Sequence, residues 1–263
     1  MHHWPKRLVV IAAALLLGSC LWGPGKFASD LTLRKDGTFV LDYRGEIVLQ
    51  LPPDADEATR PWASNMAKCA DDEGKDRACT ADEIASQKAD YEKQAADKRK
   101  QAEEMAKAFG LPGLDEESSR QFAARLTKYA GWRSVTYRGK GVFDVDYHME
   151  GSARQDFIFP ALPDDNFLIP FIALRRRGDG SVLVTAPALT GGGGPMAGAA
   201  ATANMAKGEG PVSRAQGRFT VITDGEVLTN NSEDGASPHA LGRQLHWDVG
   251  PDSTKIPETL IRL

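Results

Sequence analysis

Residues 29–52 read SDLTLRKDGTFVLDYRGEIVLQLP, and the alternation in them commits the chain to a sheet. Leu31 and Leu33 alternate with polar residues, Lys35-Asp36-Gly37 supplies turn chemistry, and Phe39, Leu41 and Tyr43 resume the alternation before Gly45. Side chains two apart share one face of a strand, so period-two patterning on both sides of an Asp-Gly turn specifies a β-hairpin. Ile47, Leu49 and Leu51 carry the pattern on until Pro52-Pro53 stops it.

Downstream the pattern changes period. Residues 54–130 are rich in Ala, Lys, Glu, Asp and Gln and poor in β-branched residues, a composition that favours helix. Thr80 and Glu83 stand at capping-box spacing before Ile84. Ile84, Tyr91, Ala95, Ala102, Met105 and Phe109 form a thin apolar stripe at helical spacing, closed by Gly110-Leu-Pro-Gly. A second helix starts at Asp115, with Phe122, Leu126 and Tyr129 expected on one face. The narrow stripe and dense charge skin of the first helix mark it as a half-solvated lid rather than a core element. A partner-recruiting arm is the alternative.

Alternation returns in WRSVTYRGKGVFDVDYHMEG (132–151), turning about Arg138-Gly139-Lys140-Gly141 with Phe143, Val145 and Tyr147 on one face. FLIPFIALRRRGDGSVLVTAPAL (167–189) turns at Gly178-Asp179-Gly180, and its first arm is apolar on both faces, as a covered strand would be. Residues 217–231, 242–251 and the terminal ETLIRL read as further strands. Strands, then helices, then many antiparallel strands predict an α+β fold: a twisted, mainly antiparallel sheet with a helical insertion of two helices, about 54–130, on one face. The Gly/Ala-rich residues 190–211 read as a flexible segment.

The N-terminus sets location. LVVIAAALLLGSC (8–20) follows Lys6 and Arg7, the plan of a secretory signal peptide: basic start, short apolar middle, small residues at the cut. The run is shorter than the roughly 20 residues a spanning helix needs. Its last four residues, Leu-Gly-Ser-Cys, closely resemble the lipobox of bacterial lipoproteins, which implies removal of residues 1–19 and lipidation of Cys20. An ordinary signal peptide or an uncleaved anchor is the plainer reading. In a host with two membranes, Leu21, where an Asp would mark inner-membrane retention, resembles outer-membrane sorting, on the periplasmic face. Two or three acyl chains would anchor stably. Residues 20–26 are then expected as a tether and 27–263 as a single domain.

Losing Lys6 and Arg7 leaves 30 basic against 36 acidic residues. An acidic surface without basic clusters argues against nucleic acid and against polybasic docking on anionic lipid. Cys69 and Cys79, in CADDEGKDRAC, read as a disulfide in an oxidising compartment. Such a ring stabilises by on the order of 2–3 kcal/mol. Zinc needs about four ligands, and no His lies near; two free thiols are the next alternative.

A search for catalytic chemistry returns structural readings. His148, His239 and His246 stand apart in sequence, without metal-site spacing. Asp164-Asp165 could share a proton, but between prolines it reads as turn chemistry. Gly191–Gly194 lacks the Lys-Ser/Thr that a phosphate loop requires, with Pro195 and Met196 in their place. Trp62, Trp132 and Trp247 read as core or sheet-face residues, and Arg175-Arg176-Arg177 as a solvated turn flank. No catalytic residue, metal site or cofactor is expected.

The order of segments, DLTLRKDGTFVLDYRGEI, then helices, VTYRGKGVFDV, IALRRRGDGSVLV and FTVITDGEVLTNN…LGRQLHWDVGPD, resembles the LppM-type lipoprotein domain of bacteria. Thr223-Asp224-Gly225 departs from the Pro-Gly usual there. The resemblance implies a surface-anchored, non-enzymatic α+β domain facing lipid or a partner, and it transfers no functional residue. The leading expectation is a binding module for an apolar or lipid-like ligand. An outer-membrane interaction or assembly factor using the charged helix 80–109 comes second, and an envelope hydrolase third.

Overall fold

The computed structural model describes residues 22–49, 61–71, 73–108, 112, 115–161, 170–190 and 215–263. The signal peptide, Cys20, Leu21, Pro52-Pro53, Asp164-Asp165 and Gly191–Gly194 lie outside the described residues, as does 191–211 of the Gly/Ala-rich segment.

The opening stretch is a hairpin of two twelve-residue strands, β1 (Trp22–Leu33) and β2 (Thr38–Leu49). Gly37 makes the turn at φ +86°, a conformation that L side chains resist. Asp36 Oδ1 accepts the Thr38 N–H at 2.8 Å. The expected tether is corrected here: from Trp22 onward it is strand, with Trp22 pairing with Leu49 across a register shift between Pro24 and Phe27. Gly and Pro at 23–25 hid that strand from a propensity reading. Gly45 does not end β2 either. At φ +151° it passes so close to β1 that a Cβ would meet the Lys26 carbonyl oxygen at 2.2 Å.

A two-residue hairpin, β3 (Cys69–Ala70) and β4 (Asp76–Arg77), precedes helix α1 (Ala81–Ala108) and helix α2 (Glu116–Leu126). The remaining strands are β5 (Trp132–Gly139), β6 (Val142–Ser152), β7 (Phe157–Phe159), β8 (Ile172–Arg176), β9 (Ser181–Thr185), β10 (Gln216–Thr223), β11 (Glu226–Asn230), β12 (Ser237–His239), β13 (Gly242–Val249) and β14 (Glu258–Arg262). The α+β class holds, with the strands divided between two large sheets rather than collected in one. The larger has the order β12-β13-β10-β1-β2-β6-β5, the smaller β11-β14-β9-β8-β7. Every neighbour pair is antiparallel except β1 with β10.

Register turns the alternation into layers. Trp247, Phe219, Ser29, Tyr43, Tyr147 and Trp132 face one another in a row across six strands, and all are buried. The smaller sheet closes over this row: the Phe159 ring lies 4.4 Å from that of Tyr147 and 4.9 Å from that of Tyr43. At the end of the sheet where β1 begins, α2 takes over as the cover. Its Phe122 packs 5.5 Å from Trp22 and 5.9 Å from Phe143. Each such ring contributes roughly 1.5–3 kcal/mol by leaving water. The expected apolar face of α2 is corrected at one position. The helix stops at Leu126, so Phe122 and Leu126 are buried but Tyr129, beyond Thr127, is 40% exposed.

Candidate functional site

Two surface features stand apart from the core. The first is an open cleft of about 560 Å³, lined by Glu46, Glu116, Arg138, Gly139, Lys140, Val142 and Asp144. The β5–β6 turn builds one wall. Gly139, Lys140 and Gly141 all have positive φ, which explains a Gly-Lys-Gly sequence there. The turn is locked to β2, because the Leu49 N–H donates to the Gly141 carbonyl at 2.7 Å. Arg138 is neutralised by Asp144. Lys140 has no salt bridge among those described.

The second feature is the arm formed by residues 61–80 and α1. A disulfide joins Cys69 to Cys79. Glu83 then organises the helix start. Its carboxylate accepts two bonds from the Arg77 guanidinium and one from the Thr80 N–H, while Thr80 Oγ1 accepts the Glu83 N–H at 3.3 Å. This is a capping box reinforced by an ion pair. The Arg77 and Thr80 bonds hold the Glu83 carboxyl down at about 2. One turn on, Gln87 clamps the hairpin by bonding both backbone groups of Lys68, at 3.1 and 3.0 Å. Trp62 then leans on Tyr91 at 5.3 Å. Ile84, Gln87, Tyr91, Ala95 and Lys98 form a half-buried stripe, and no described side chain of α1 is fully buried. The first helix is thus half-solvated, as expected, and among its described residues it is held by its own hairpin; the buried helical residues described are those of α2.

Cys69, Cys79 and Glu83 place ligand-type atoms within 4.8 Å of one another. The two sulfurs are bonded to each other, so this set lacks the thiolates a zinc site requires. The histidines remain apart. His148 Nδ1 lies 2.8 Å from Asp42 Oδ1, His246 Nε2 lies 3.2 Å from Asp234, and His239 Nδ1 accepts the Leu241 N–H. Of the arginines, the backbone of Arg176 is tied to Asp156, and all three side chains at 175–177 are exposed.

The shifted carboxylates are in turns, caps and surface pairs. Asp36, Asp115 and Asp179 are lowered by the hydroxyl and N–H of Thr38, Ser118 and Ser181, and Asp248 by Arg218. Burial pushes Tyr147 up to about 12, and Tyr43 upward as well. Shifts of this kind stabilise loops and a core. A general acid would need a carboxyl moved upward in a cleft, whereas the shifts of Asp36, Glu83, Asp115, Asp179 and Asp248 are all downward.

Trp62, Trp132 and Trp247 all serve packing. Sequence reasoning missed Asn231, which touches both sheets, and the cleft residues Glu46, Glu116 and Lys140. Only the Gly-Lys-Gly turn carried a signal for the latter.

No family model matches the chain, and no curated protein matches it. Among solved structures the chain is similar to the folded domain of the Mycobacterium tuberculosis LppM protein, determined by NMR. The two are 13% identical, with 91% of each chain covered and a TM-score of 0.26.

Proposed function

We propose that the chain is a non-enzymatic, lipid-anchored protein of the bacterial cell envelope, held at the periplasmic face of the outer membrane through Cys20. Its role is interaction or assembly, and its contact surface is the arm. One observation carries this reading: α1 runs 28 residues with no described side chain fully buried. Helices in proteins draw most of their stability from packing an amphipathic face. Among the described residues the hairpin packs on the N-terminal part of the stripe, and the exposed flank of α1, Lys93 and Gln101 included, is the surface on which a partner protein would dock.

The apolar-ligand reading has less behind it. Rings of Tyr43, Tyr147, Phe159 and Phe171 pack against one another between the sheets, and the cleft is lined largely by charged residues.

The test is photocrosslinking in cells with p-benzoylphenylalanine at the exposed α1 positions Lys93 and Gln101. The same discrete envelope-protein adduct should appear at both. No adduct at either position, with the protein folded and exported, would sink the reading.

A further inference from the structure

Because β1 begins at Trp22, the position of a lipid at Cys20 becomes a statement about the orientation of the whole body. Two peptide units separate the two residues, at most about 7 Å of chain. Trp22 is 4% exposed, paired with Leu49, and packed 5.5 Å from Phe122 of α2 and 5.6 Å from Phe143. It has no freedom to act as a linker. A glyceride thioether must lie at the bilayer interface, so whatever is rigidly joined to Trp22 within one or two strand spacings is drawn against the headgroups.

From this we infer that the end of the larger sheet built from Trp22, Leu49, the β5–β6 turn and the first turn of α2 is a bilayer-apposed face. The inference rests on the lipid anchor proposed above. Neighbouring strands lie about 4.8 Å apart, and Leu49 bonds to Gly141. Lys140 is therefore two strand spacings and one residue from Trp22, on the order of 10–15 Å, at the tip of a turn that two positive-φ glycines and the Leu49 bond hold in place. Its exposed side chain is at this end of the sheet, beside the cleft lined by Glu46, Glu116, Arg138 and Asp144. Ala215 re-enters the described chain at this end too, next to Gln216, which pairs with Lys26.

The opposite end carries the Lys35-Asp36-Gly37 turn, where the Lys35 N–H donates to Asp224 at 2.7 Å. Twelve residues of β2 separate the two ends, about 36 Å at strand rise. A body anchored two residues before Trp22 thus presents one end to lipid and holds the other well beyond the headgroups. The partner is the lipid surface itself, reached through the covalent anchor rather than through charge, in keeping with the acidic balance of the chain.

The experiment uses the full, lipidated chain in its native membrane, with p-benzoylphenylalanine at Lys140 or at Lys35, both exposed, and mass spectrometry of the N-terminal peptide. Acylated Cys20 with phospholipid adducts at position 140 and at least tenfold fewer at 35 is the expected result. Acylated Cys20 with equal adducts at both positions, none at either, or more at 35 overturns the inference and leaves the anchor standing. An unacylated Cys20 overturns both together.

Discussion

Trp247 donates its indole N–H to Asn231 Oδ1 at 2.9 Å, and the same oxygen accepts the backbone N–H of Glu258, also at 2.9 Å. Trp247 belongs to the larger sheet and Glu258 to the smaller, so one amide oxygen ties the two layers. The other end of the amide donates to the Ile256 carbonyl at 2.7 Å. Asn231→Ala strips partners from an N–H on each sheet. An unsatisfied buried donor costs about 1–3 kcal/mol, and water reaching the exposed Asn231 position brings the expectation to the lower half of that range. A urea titration of the variant should show it. A midpoint equal to that of the parent would mean that the sheets hold together without this clamp.

Close approach of backbones gives a sharper contrast. A Cβ on Gly217 would meet the Phe27 carbonyl oxygen at 1.8 Å, inside the parallel pairing of β1 with β10, whereas one on Gly178 meets nothing within 4 Å. Overpacking that backbone cannot relieve costs about 3 kcal/mol. Gly217→Ala should lose that much or fail to accumulate as folded protein. Gly178→Ala should change stability by less than about 0.5 kcal/mol. Thermal unfolding of the pair decides, and equal melting temperatures would refute the parallel register.

These two cases show where the sequence is legible. Phe39, Leu41 and Tyr43, and Phe143, Val145 and Tyr147, alternate strictly, and each is buried on the face their period assigns. Ile172, Ala173 and Leu174 are all buried as well, as expected of a strand covered on both faces. Asp115 caps α2 where its position suggested. Each is a local signal, set by strand or helix period and by the chemistry of one turn. The pairing of Lys26 with Gln216 and the clamp at Asn231 depend on residues far apart in sequence, and a period-two pattern does not name its partner. The division into two sheets was hidden for the same reason. The beginning of β1 was hidden by Gly23, Pro24 and Gly25, which local propensity reads as a break although the neighbouring strand overrides it.

The disulfide belongs to the arm, and its loss should stay there. Cys69→Ser with Cys79→Ser opens a ring between residues ten apart in sequence, worth on the order of 2–3 kcal/mol to the segment it closes. No described α1 side chain is fully buried, so the cooperative unfolding of the sheets should be little altered. Hydrogen exchange should accelerate across residues 68–87 and remain unchanged in β2 and β6. Acceleration of β2 and β6 amides by the same factor would show that arm and sheets unfold as one unit.

Glu83 predicts how the arm answers acid. Its carboxyl is held near 2, against an ordinary value of 4.5, first by the Arg77 bond and then by the Thr80 N–H. A carboxyl lowered in the folded state gives its full stabilisation above 4.5 and loses it as pH falls toward 2, because the unfolded chain takes up the proton first. The N-terminal turns of α1 should therefore fray progressively between pH 4.5 and 2. The Glu83 side-chain carboxyl resonance, followed by NMR, should titrate near 2 in the parent. With Arg77→Gln the largest cause is gone, so the midpoint should move up toward 4.5, and fraying should begin at higher pH. An Arg77→Gln midpoint that stays near 2 would assign the shift to the helix cap alone. A parent midpoint near 4.5 would show that Arg77 does not hold Glu83 in solution.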